Sequence, residues 1–165
     1  MKGSIRIAGT VGESIVDGPG LRYTLFTQGC PHDCPGCHNP QTHDFSGGKD
    51  IDTSEILAQI RKNPLLDGLT LTGGEPFCQC TACIALAQGA HAHGLNVWCY
   101  SGYTFEELIN GKAEWRLLLQ NIDMLVDGPF LLEKRSLDCR FRGSSNQRLI
   151  DVPKSLMANR AIEWV

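Results

Sequence analysis

Eight cysteines stand in a chain of 165 residues, and six of them form two tight triplets. The first, Cys30-Pro-His-Asp-Cys34-Pro-Gly-Cys37, has the spacing C-x3-C-x2-C. Thiolates this close can converge on one metal centre, and Gly36 with the two prolines suits a tightly wrapping loop. A structural zinc site takes four ligands, and iron–sulfur clusters are usually held by four cysteines. Three thiolates on a cubane leave one iron open to a substrate, whereas a closed zinc site offers no such position. The second triplet, Cys78-Gln-Cys80-Thr-Ala-Cys83, could hold zinc or a second cluster. Against that, Cys83 falls on the apolar face of a predicted helix, where a buried cysteine behaves as a small hydrophobe, and no fourth ligand is nearby. Cys99 alternates within a predicted strand and Cys139 stands apart, so both read as packing. His32, His38 and His43 flank the first triplet and read as solvated loop residues. His91 and His93 read as the polar end of a helix, favourable to its C-terminal dipole.

The elements that must position these residues alternate. Apolar or β-branched runs predict strands near Ile5–Ala8, Leu21–Thr27, Leu69–Leu71, Leu95–Tyr100, Ile122–Val126 and Leu149–Val152. Asp52 with Glu55 resembles a capping box, after which Ile56, Leu57 and Ile60 share a face until Pro64 ends the run. A second helix spans about Thr81 to His93, with Cys83, Leu86, Ala87 and Ala90 on one side and Gly94 as its stop. Thr104 with Glu107 forms a second capping box, at the start of a third helix. Strands alternating with helices imply βα units and a mainly parallel sheet. A complete eightfold barrel takes about 250 residues. The expectation is therefore an α/β fold: an incomplete, open (β/α) barrel with a mainly parallel sheet, in a single domain over residues 1–165. Gly29-Cys30, Gly73-Gly74-Glu75, Ser101-Gly102 and Asp127-Gly128 each follow a predicted strand. In parallel α/β structures such loops emerge at the same end, so four polar motifs converge on one face.

Composition narrows the function classes. Apolar residues make up 42% and charged residues 20%, which is a folding composition and not a disordered one. Area scaling leaves roughly 8,000 Å² exposed of about 26,000 Å² in the unfolded chain, enough burial for one real core. Lys and Arg number 15 against 18 acidic residues, with no basic run, so no nucleic-acid partner is expected. No apolar stretch approaches the roughly 20 residues of a membrane span, and Met-Lys-Gly-Ser-Ile-Arg lacks the apolar core of a secretion signal. The expected location is the cytoplasm, with no membrane partner. A reducing cytosol makes disulfides a poor reading of eight cysteines and favours metal or catalytic roles.

With the cysteine spacing, several further motifs resemble the radical S-adenosylmethionine superfamily. Ile15-Val16-Asp17-Gly18-Pro19-Gly20-Leu21-Arg22 is similar to the entry motif of activating enzymes for glycyl radical enzymes. Cys37-His38-Asn39-Pro40, Thr72-Gly73-Gly74-Glu75-Pro76 and Tyr100-Ser101-Gly102-Tyr103 are similar to their later motifs. Leu125 to Phe130 and Phe141-Arg142-Gly143-Ser144-Ser145-Asn146-Gln147 resemble the short branch that activates anaerobic ribonucleoside-triphosphate reductase.

The resemblance implies an enzyme of the radical S-adenosylmethionine fold type in which Cys30, Cys34 and Cys37 ligate one 4Fe–4S cluster. Its open iron would bind S-adenosylmethionine, whose reductive cleavage gives methionine and a 5′-deoxyadenosyl radical. Cofactor contacts are expected from Gly36, Cys37, His38, Gly73, Gly74, Glu75, Ser101 and Asn146. Within that set Glu75 would pair with the ammonium, and the backbone of Gly36–His38 would meet the adenine. The implied partners are the reductase as protein substrate and reduced flavodoxin or ferredoxin as electron donor. The competing readings are an activase of another glycyl radical enzyme such as pyruvate formate-lyase, a small-molecule enzyme with the same cofactors, and a zinc or electron-transfer module. The Cys78–Cys83 triplet departs from the family pattern.

Overall fold

The computed structural model describes residues 3–164 apart from 33, 38 and 137. His38, expected beside the adenine, therefore lies outside the described residues. Among the described residues seven strands form one mixed sheet: β1 (Ser4–Ser14), β2 (Arg22–Thr27), β3 (Lys49–Asp52), β4 (Gly68–Gly73), β5 (Asn96–Tyr100), β6 (Met124–Asp127) and β7 (Arg148–Asp151), ordered β3-β1-β2-β4-β5-β6-β7. β2, β4, β5 and β6 run parallel in the middle. β1 is antiparallel to both β2 and β3, and β7 is antiparallel to β6. Parallel strands must be joined by crossovers. Helices α1 (Thr53–Arg61), α2 (Cys80–Ala92), α3 (Phe105–Ile109) and α4 (Ala113–Leu119) lie in the connections between β3 and β6, and α5 (Val152–Ala158) follows β7.

Alternation along the strands gives the sheet two unlike faces. Leu69 and Leu71 of β4, Val97 and Cys99 of β5, and Leu125 of β6 join Ile56, Ile60, Cys83, Leu86 and Leu118 of the helices in the main core. The intervening residues point the other way. There Trp98, Met124 and Val126 form a second, smaller cluster with Tyr100, Phe141 and Leu149. Thr72 and Tyr100 face open space on that side. The helices thus cover one face, and the other is left for chemistry. The accessible surface is 8252 Å², close to the roughly 8,000 Å² that mass scaling gives.

Helix boundaries follow local chemistry. Asp52 caps α1 by accepting from the Ser54 N–H at 2.9 Å, and Thr104 with Glu107 forms a reciprocal capping box on α3. α2 buries Cys83, Leu86, Ala87 and Ala90, the four residues whose spacing predicts that face. β3 escapes sequence reading because Lys-Asp-Ile-Asp is polar and only half-covered at the sheet edge. No helix among the described residues is long and apolar enough to cross a membrane.

Candidate active site

A cleft of about 570 Å³ opens on the helix-free side of the sheet. Cys30, Cys34 and Cys37 all line it, as do Gly73, Gly74 and Ser101. The loops after β2, β4, β5 and β6 do converge there, as the strand pattern predicts. The cysteine loop is tied at its base: Gly29 N–H donates to Thr42 O at 2.6 Å, and Cys30 N–H to His43 O at 3.2 Å. Cys37 N–H closes a turn on Cys34 O at 3.1 Å, and Asn39 N–H points at the Cys37 sulfur at 3.4 Å. Burial pushes the Cys30 thiol up to about 11; the carboxylate of Glu75 and the neighbouring Cys34 and Cys37 add to this, against a lowering backbone hydrogen bond at His32. Three thiols brought to one cleft are a donor set that a cationic centre would stabilise as thiolates. Among the described residues, no three His, Cys, Asp or Glu side chains converge as ligands of a single metal ion.

The Gly73-Gly74 pair is required by the chain's own packing. Gly73 has φ +95°, and a Cβ there would stand 2.6 Å from Thr27 N. A Cβ on Gly74 would strike the carbonyl oxygen of Gly29. The close approach seats the end of β4 on the start of the cysteine loop, where Gly74 N–H donates to Thr27 O at 2.8 Å and Glu75 N–H to Gly29 O at 2.9 Å.

Glu75 is fully buried. Its carboxylate accepts from Phe77 N–H at 3.1 Å, from the Ser101 hydroxyl at 2.9 and 3.0 Å, from Gly102 N–H at 2.8 Å and from His32 Nε2 at 2.6 Å. His32 is thus no solvated loop residue. Its side chain is 15% exposed and meets the Tyr103 ring edge-on at 4.5 Å. Sequence reading missed it because its partner is 43 positions away. Ser101 lines the cleft but turns its hydroxyl to Glu75.

The far wall comes from residues 128–147. Gln147 organises it, accepting from Gly143 N–H at 2.9 Å and Ser144 N–H at 3.2 Å and donating to Gly128 O at 3.0 Å. Asn146 donates to Pro129 O at 2.8 Å, and its Oδ1 is buried with no partner among the described residues. Arg142 lines the cleft and donates to Gln147 O at 3.2 Å, while its buried Nε is likewise unpartnered. Cys139, expected to be packing, also lines the cleft. At the floor, Asp17 accepts from Ser14 at 2.6 Å and Thr24 at 3.1 Å, and the turn it opens closes over the buried Arg22. The second triplet behaves differently. The Cys80 thiol donates to Phe77 O at 3.2 Å and the Cys83 thiol to Pro76 O at 3.5 Å, both buried, while Cys78 is exposed.

Three thiols and the Arg142 side chain lining one cleft suit a cluster and an anionic ligand. Residues 16–150 match the family model described as a 4Fe–4S single cluster domain. The chain is 36% identical over 141 residues to the anaerobic ribonucleoside-triphosphate reductase-activating protein of Salmonella typhi, covering 81% of this chain and 90% of that one. The protein of that name from Escherichia coli K12 is 36% identical over 143 residues, with the same coverage. Its counterpart from enterobacteria phage T4 is 32% identical over 143 residues, covering 81% and 86%. Among solved structures, QueE from Escherichia coli aligns with 61% of this chain and 53% of its own at 20% identity and a TM-score of 0.46. The chain belongs to the 4Fe–4S single cluster domain family and to the family of anaerobic ribonucleoside-triphosphate reductase-activating proteins.

Proposed function

We propose that this chain is the enzyme that activates anaerobic ribonucleoside-triphosphate reductase, installing a glycyl radical on it with one 4Fe–4S cluster and S-adenosylmethionine. The observation that carries this is the C-x3-C-x2-C triplet opening, with the Gly-Gly segment, into one cleft at the ends of parallel strands. When bound, the cluster would supply the electron for reductive cleavage of S-adenosylmethionine, the chemistry by which hydrogen is abstracted from the partner's glycine. Cys30, Cys34 and Cys37 would hold the cluster. The backbone around Gly36 and Cys37 would receive the adenine, and Gly73, Gly74 and Ser101, which line the cleft, would contact the rest of the ligand. Arg142, which lines the cleft, would offer its guanidinium to the ligand's carboxylate, and residues 143–147 hold that wall in place.

The sheet curls as an incomplete, open barrel within a single domain over residues 1–165, leaving a lateral mouth through which a flexible segment can enter. A glycine suits that entry because its Cα hydrogen is unobstructed by a side chain. The chain works in the cytoplasm, where a reduced flavodoxin or ferredoxin supplies the electron. The test is anaerobic: reduced, cluster-loaded protein is mixed with S-adenosylmethionine and the reductase. A glycyl radical doublet in the electron paramagnetic resonance spectrum is expected. Cofactor cleavage with no radical on the reductase would overturn the assignment.

A further inference from the structure

We infer that His32 and Glu75 form a clamp that positions the cysteine loop, and that Glu75 serves this clamp instead of pairing with a ligand's ammonium. The clamp rests on the reading of Cys30, Cys34 and Cys37 as the cluster ligands. An ionised carboxylate offers about four acceptor positions. Those of Glu75 are met by four protein donors: Phe77 N–H, the Ser101 hydroxyl, Gly102 N–H and His32 Nε2. With its side chain fully buried, no oxygen is left facing the cleft. Three of these donors belong to the loops after β4 and β5. The fourth belongs to the cysteine loop, between Cys30 and Cys34, and its bond of 2.6 Å is the shortest of the set. Backbone bonds join the loop's two ends, Gly29 and Cys30 to Thr42 and His43, and His32 anchors its interior to the sheet.

The pocket that receives the imidazole is built for it. A Cβ on Gly102 would stand 2.5 Å from the His32 ring, and Tyr103 closes the other side with its ring centroid at 4.5 Å. Against the Glu75 carboxylate, His32 Nε2 takes the donor role in this bond. A charge-assisted hydrogen bond of this kind is among the stronger side-chain contacts. Its role is positioning: it ties the segment between Cys30 and Cys34 to the sheet and so sets where those two thiols stand along the cleft.

The test uses reconstituted, cluster-loaded protein without S-adenosylmethionine and follows the rate at which an iron chelator strips it, alongside equilibrium binding of radiolabelled S-adenosylmethionine. His32→Ala, Glu75→Gln and Gly102→Ala should each speed iron loss by about tenfold or more, the size of one lost hydrogen bond to a charged group. The double variant of His32→Ala and Glu75→Gln should lose iron no faster than the worse single one. His32→Gln, whose amide can donate in place of Nε2, should recover most of the retention, which a merely unfolded loop would not. The clamp is overturned if His32→Ala retains iron as the wild type does while Glu75→Gln alone weakens S-adenosylmethionine binding. A wild-type chain that takes up no cluster would overturn the underlying reading, and the clamp with it.

Discussion

Arg22 is a fully buried guanidinium whose three hydrogen bonds all go to neutral oxygens: Thr70 Oγ1 at 2.7 Å, Pro19 O at 3.0 Å and Leu69 O at 3.0 Å. It also lies 5.5 Å over the Trp98 ring. Burial draws its pKa down to about 10, with Tyr100 and nearby aspartates opposing, so it stays charged at neutral pH. A rigid fork reaching three acceptors cannot be replaced by an ammonium. Arg22→Lys and Arg22→Met should each cost about 3 kcal/mol, since several charge-assisted bonds and their buried acceptors are lost together. Thermal denaturation should register this as a fall of roughly 6–12 °C; an unchanged midpoint would contradict the structural role. The turn at Asp17-Gly18-Pro19-Gly20 is legible from composition, but its purpose is not. Only the fold reveals that it closes over an arginine from the next strand. The same holds for His32 and Glu75, whose residue types are visible in the chain while their pairing is not.

At the scale of elements, α2 carries the cysteines that most tempt a second metal assignment. Cys80 and Cys83 face the core and donate to carbonyls of the turn before the helix. Burial pushes the Cys80 thiol up to about 12 and the Cys83 thiol higher. Replacing Cys78, Cys80 and Cys83 together by Ala should leave the iron of one 4Fe–4S cluster per chain; loss of about half the iron on a folded variant would reveal a second metal site.

The junction of α3, β6 and β7 is held by Arg148, which reaches Asp127 and Glu106 at 2.6 Å each. The Arg148 hydrogen bond lowers the Glu106 pKa. Its folded pKa therefore lies below the unfolded one, and the stabilisation is present above the ordinary carboxylate range and lost as pH falls through the folded value. Because Glu106 is half exposed, about 0.5 kcal/mol is at stake. Urea melts of Glu106→Gln should converge with the wild type in acid and fall below it at pH 7; a constant gap at all pH values would refute the linkage. Strands with strong apolar runs and helices with caps are legible in the sequence. β3 and the short α4 are not, because edge position and tertiary contact, rather than local pattern, make them regular.

For the whole molecule, the governing feature is a sheet with helices on one face and a cleft on the other. The convergence of loops was readable once βα alternation was recognised, because parallel order sends every strand's end the same way. The antiparallel flanks, β1 with β3 on one side and β7 on the other, were not, since hydrophobic periodicity carries no strand direction. Among the described residues those flanks end the sheet after seven strands, and the proposed function takes a protein segment to the cleft on its open face. The most direct measurement places deuterium on the glycine Cα of the reductase and follows it during activation by the reduced, cluster-loaded chain with S-adenosylmethionine. The account predicts deuterium in 5′-deoxyadenosine, in step with the appearance of the glycyl radical. Deuterium that stays on the glycine while S-adenosylmethionine is cleaved would contradict it.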